Sequence, residues 1–79
     1  MAIIITFFKK NGEGCTLPLG FKDHLECMAA AAGTVHIMAK EASKKSKVDK
    51  KTEISTKTAI EVIRHGALKI IEREENNNG

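Results

Sequence analysis

Two cysteines, three histidines and a run of lysines are the groups in this chain whose types and spacing could do chemistry. Cys15 and Cys27 stand twelve positions apart, in neither a CxxC nor a zinc-finger spacing, and read as free thiols of a reducing compartment. His24 and Cys27 lie three apart and would share one face of a helix, but two ligands do not enclose a metal. His36 and His65 stand at no catalytic spacing from either cysteine and read as packing or surface residues. The expectation is therefore a protein that is not an enzyme and holds neither metal nor cofactor. Positive charge remains: Lys44, Lys45, Lys47, Lys50 and Lys51 fall within eight residues, with Lys9, Lys10 and Lys22 upstream. Lysines in such a run form either a solvated helix end or a surface for phosphates.

The elements that position these groups must be built from few large side chains. Of the 79 residues 42% are hydrophobic, but Trp and Tyr are absent and only Phe7, Phe8 and Phe21 are aromatic, so the core has to be aliphatic and alanine-rich. That composition favours close packing of helices over a sandwich or barrel. A chain this short buries a modest fraction of its surface when folded alone, which makes a partner chain an expectation from length. The net charge of +3 permits a nucleic-acid or acidic partner without requiring one. The apolar opening from Ala2 to Phe8 is too short to span a membrane and lacks the flanks of a signal peptide, so it belongs to the fold.

Ile3 to Lys10 supports two readings. Its β-branched run favours a strand, whereas Ile4, Phe7 and Phe8 also fit a helical face. Asn11 to Gly14 breaks the element, and a hairpin with Cys15 to Leu17 is the local reading, though a lone hairpin is weak. From Pro18 the period becomes helical, with Phe21, Leu25, Met28, Ala29, Ala32, Val35, Ala39 and Ala42 at spacings of three and four, and Pro18 suits the first turn. Met28 and Met38 read as core fillers. Residues 44 to 51 end the apolar periodicity, and Lys47 to Lys51 read as a solvated helix end and loop. Ser55 or Thr56 can cap a further helix carrying Ala59, Ile60, Val62, Ile63, Ala67, Leu68, Ile70 and Ile71, which Gly66 divides or weakens.

A short element, a long central helix, a basic loop and another short helix resemble, in that order, the histone fold. The likeness is carried by Lys40-Glu41-Ala42-Ser43 followed by Lys50-Lys51-Thr52-Glu53-Ile54-Ser55, which look like the end of the central helix and the second loop of that family. It is nearest to the two-B class of core histone, the beta subunit of nuclear factor Y and centromere protein W, and covers nearly the whole chain. Three positions depart from the family pattern: Lys51 replaces an arginine, Thr58 an aspartate and Glu53 a threonine.

The resemblance implies an all-α fold of short, long and short helices over residues 1 to 75, with a frayed tail at 76 to 79. Two such chains, identical or different, would clasp in a handshake dimer that buries Leu25, Met28, Ala32, Val35, Ala39, Ile54 and Ile63. It further implies an architectural subunit of chromatin, a centromere complex or a transcription factor, nuclear in a eukaryote. Such a subunit would hold double-stranded DNA by its phosphates through Lys9, Lys10, Lys22, Lys47, Lys50, Lys51 and Ser55, without reading bases. The alternative is a small oligomerisation or regulatory protein, cellular or viral, that does not bind DNA and consists of an N-terminal hairpin and two packed helices. No membrane partner is expected on either reading.

Overall fold

The computed structural model describes residues 1–49 and 52–77, and its element order is β1 (Ile3–Phe8), β2 (Gly14–Leu19), α1 (His24–Asp49) and α2 (Thr56–Asn77). The three-helix expectation is thereby overturned, because the first segment is a strand and not a helix. Three consecutive isoleucines are stiff at χ1 and fit a pleated strand better than a helical turn. The turn that follows then fixes the pairing. Gly12 adopts a positive φ of 89°, its N–H donates to the Lys9 carbonyl at 3.0 Å, and the Glu13 N–H donates to Asn11 Oδ1 at 3.0 Å. The Lys9 N–H closes the loop on the Glu13 carbonyl at 2.9 Å. This is a three-residue hairpin turn, with glycine where the chain goes left-handed. β1 and β2 pair antiparallel from Ile3 opposite Leu19 to Phe8 opposite Gly14.

Pro18, expected in the first turn of the long helix, lies in β2 opposite Ile4. The helix starts later because Asp23 caps it: the Glu26 N–H donates to Asp23 Oδ1 at 2.8 Å, and Glu26 Oε1 accepts from the Lys22 N–H at 3.1 Å. An aspartate before the first turn and a glutamate three residues on satisfy backbone donors that a helix leaves free. Gly20, at φ 79°, takes the chain out of β2, and a Cβ there would come within 2.6 Å of the Met1 carbonyl oxygen.

The lysine-rich segment is helical as far as Asp49, so Lys47 to Asp49, expected as a solvated helix end, are the last residues of α1. α1 has 26 residues and α2 has 22, which removes the contrast between one long and two short helices that carried the histone likeness. α2 runs without interruption through Gly66, and as far as Asn77 where a frayed tail was expected from residue 76.

The chain divides into two compact units, Met1–Ala31 and Ala32–Gly79. In the first, Ile4, Cys15, Phe21, Cys27 and Ala30 are half-buried and no residue is fully buried. In the second, the covered positions of α1 are Val35, Ala39, Ala42, Ser43 and Ser46, and those of α2 are Thr56, Ala59, Ile60 and Ile63. Among the described residues only Ala39 and Ala59 are buried hydrophobic residues, and no large side chain is fully enclosed.

Candidate functional site

The best-defined concavity lies where α1 gives way to α2. Its walls are Ser43, Lys47, Glu53, Ile54, Ser55 and Thr56, around a cavity of about 460 Å³. Ser43 and Ser46 lie three apart on α1 and both reach the backbone of Ile54. Ser43 Oγ donates to the Ile54 carbonyl at 2.9 Å, while Ser46 Oγ accepts from the Ile54 N–H at 3.1 Å and donates to the Ser43 carbonyl at 2.7 Å. Both polar groups of one residue between the helices are thus held by hydroxyls of α1, which matches the need of a part-buried peptide for partners. Ser55 then caps α2, accepting from the Thr58 N–H at 3.1 Å, with its hydroxyl 3.0 Å from Thr58 Oγ1.

These bonds decide what the concavity can do. The hydroxyls of Ser43, Ser46 and Ser55 are engaged with backbone, so the cavity is a braced helix junction with Lys47 and Glu53 on its walls. Among the described residues no group of three histidine, cysteine or acidic side chains could hold a metal ion, and both cysteines are free thiols. No helix among the described residues is long and apolar enough to cross a membrane.

The second surface is one face of the hairpin. Residues opposite one another in an antiparallel pair share a face. The register therefore puts Ile3, Ile5, Phe7, Cys15, Leu17 and Leu19 together. All six are apolar, and the five large ones are 44 to 54% exposed. The opposite face carries Ile4 against Pro18, Thr6 against Thr16 with their hydroxyls 3.1 Å apart, and Phe8 against Gly14, so the hairpin is apolar on both faces and polar only at the threonine pair. The α2 stripe is exposed as well, for beyond Ala59, Ile60 and Ile63 it continues into Ile70 and Ile71, which are 57% and 50% exposed.

The residues expected to touch DNA are distributed over both units. Lys9 and Lys10 are in the hairpin turn, where Lys9 Nζ lies 3.8 Å from Glu13 Oε2, and Lys22 precedes α1. Lys47 is on α1 and Ser55 is the cap of α2, while Lys50 and Lys51 lie outside the described residues. Of the positions expected at a dimer interface, Leu25 and Met28 are 65% and 57% exposed and Ala32 is exposed, whereas Val35, Ile54 and Ile63 are half-buried. Ala39 is fully enclosed within the single chain. The Ser43–Ser46 brace escaped the sequence reading; serines at i and i+3 ahead of a loop were its only trace, and the lysines around them pointed to solvent.

No family profile, curated protein or solved structure matches this chain.

Proposed function

We propose that this chain is a non-enzymatic oligomerisation module, an assembly component whose core is completed by partner chains. The observation that carries this reading is its surface. Among the described residues sixteen large hydrophobic side chains are exposed, whereas the buried hydrophobic residues are two alanines, Ala39 and Ala59. Exposed apolar surface on this scale marks a protein-protein contact.

Thermal unfolding followed by circular dichroism across a hundredfold range of protein concentration tests the reading. A folding unit made of several chains is stabilised by mass action, so its midpoint rises with concentration. A midpoint independent of concentration would contradict it.

A second reading rests on the charge distribution. Seven of the thirteen basic residues but only three of the ten acidic ones lie between 40 and 57, giving that segment +4 and the rest of the chain −1. The assembled module would then hold a polyanion, DNA included, at its helix junctions by counterion release and without base readout. Affinity for a random-sequence duplex that falls steeply with salt supports this reading, and lack of binding at low salt removes it.

A further inference from the structure

The geometry points to a specific mode of assembly: two copies of this chain join through the free edge of β1, forming a continuous four-stranded antiparallel sheet. The inference rests on the oligomeric reading above and names the partner and the surface.

It starts from which backbone groups the hairpin leaves unused. In an antiparallel pair, residues alternate between those bonded to the opposite strand and those whose N–H and C=O point away. The Lys9 N–H donates to the Glu13 carbonyl, so Lys9 faces its partner strand. Counting back by twos, Phe7, Ile5 and Ile3 do the same, and Ile4, Thr6 and Phe8 direct their backbone groups outward. The short approach of the Thr6 and Thr16 hydroxyls agrees, because side chains come closest at non-bonded pairs.

The two outer edges of the hairpin differ. On β2 the outward residues are Gly14, Thr16 and Pro18, so proline removes one of three donors. On β1 all three donors are present, in a strand reading IIITFF with no proline, glycine or charge. Natural sheets blunt exposed edges with charges, prolines or bulges. Here the β2 edge is blunted and the β1 edge is not. A two-stranded hairpin is marginal by itself, while three or more strands with an apolar face are independently stable.

A second copy completes the sheet without conflict. Pairing β1 with its own symmetry mate, Thr6 against Thr6, sets Ile4 opposite Phe8 and uses every outward group of both strands. The same register sets Ile5 opposite Phe7, odd residues against odd, so the two half-exposed apolar faces merge into one of twelve side chains. A pairing that is its own mirror about a two-fold axis is what an isologous dimer requires.

The test uses sedimentation on the full chain. Thr6→Pro removes one outward N–H and spares the ladder within the hairpin, so the oligomer should fall to the 8.6 kDa monomer. Thr6→Val and the opposite-edge control Thr16→Pro should leave the mass unchanged. Should Thr6→Pro fail to fold, Thr6→Cys in a Cys15→Ala, Cys27→Ala background replaces it. Cα atoms of a bonded pair lie about 5.5 Å apart, within disulfide reach. Mild oxidation should therefore link two Thr6→Cys chains and leave Thr16→Cys chains unlinked. If the wild type is oligomeric but Thr6→Pro keeps its mass, or Thr6→Cys does not cross-link, the edge is not the interface and the oligomeric reading survives. A monomeric wild type overturns both.

Discussion

Ala39→Asp should abolish the fold of the second unit. Ala39 has no solvent exposure, and Ser43, one turn further along the same covered stripe, already gives its hydroxyl to Ile54. A carboxylate at position 39 would sit in a dry site without a partner. Leaving a buried charge uncompensated costs about 3–5 kcal/mol. A chain of this length has a total stability of about 4–12 kcal/mol by the usual allowance per residue, so one substitution removes a large share of it. Because folding and assembly form one equilibrium in an obligate oligomer, both should be lost together. Far-UV circular dichroism with urea titration checks this, and an unchanged midpoint would show that Ala39 is not enclosed.

Leu17→Lys should separate assembly from folding. Leu17 is 45% exposed and faces Ile5 across the hairpin. In a lone chain the lysine stem can cover the same strand surface while its ammonium stays in water, so the change would fall within about 0.5 kcal/mol. In an assembly that covers this face, the ammonium loses its water and finds no acidic partner on β1 or β2, which carry no charge. A loss of several kcal/mol in association follows, at least a hundredfold in the dissociation constant. Sedimentation velocity over a dilution series reads it directly. A variant that associates as tightly as the wild type would show that this face stays open to solvent.

The parts of the fold legible in the sequence were those governed by local chemistry. The hairpin signal in Asn11-Gly12, the β-branched Ile3 to Ile5 and the Ser55 cap each correspond to a feature observed. The helical period alone starts α1 at Pro18, whereas the capping pair Asp23 and Glu26 sets the boundary. The likeness to the histone fold relied on the order and relative length of elements, and it fails where β1 replaces the first helix and α2 nearly equals α1. Periodicity could not expose this error: Ile4, Phe7 and Phe8 satisfy a helical face as well as a strand, and only pairing across the Gly12 turn separates the two.

The candidate surfaces were less legible for a different reason. IIITFF is apolar at five of its six positions, so no alternation in β1 singles out the face that Ile3, Ile5 and Phe7 share with Cys15, Leu17 and Leu19. The Ser43–Ser46 brace depends on the α1 end meeting the Ile54 backbone, a non-local contact with no pattern of its own. The lysine run is conspicuous, yet Lys44, Lys45 and Lys47 lie within α1, with Lys45 Nζ 3.7 Å from Glu41 Oε1 on its exposed side. Charge alone does not separate a solvated helix from a binding surface.

Sedimentation equilibrium of the unmodified chain, from micromolar to high micromolar concentration at moderate salt, tests the central claim most directly. The account predicts a mass of at least twice 8.6 kDa wherever the chain is folded, with dissociation and loss of helical signal occurring together on dilution. A folded 8.6 kDa species that persists across the whole range would contradict it.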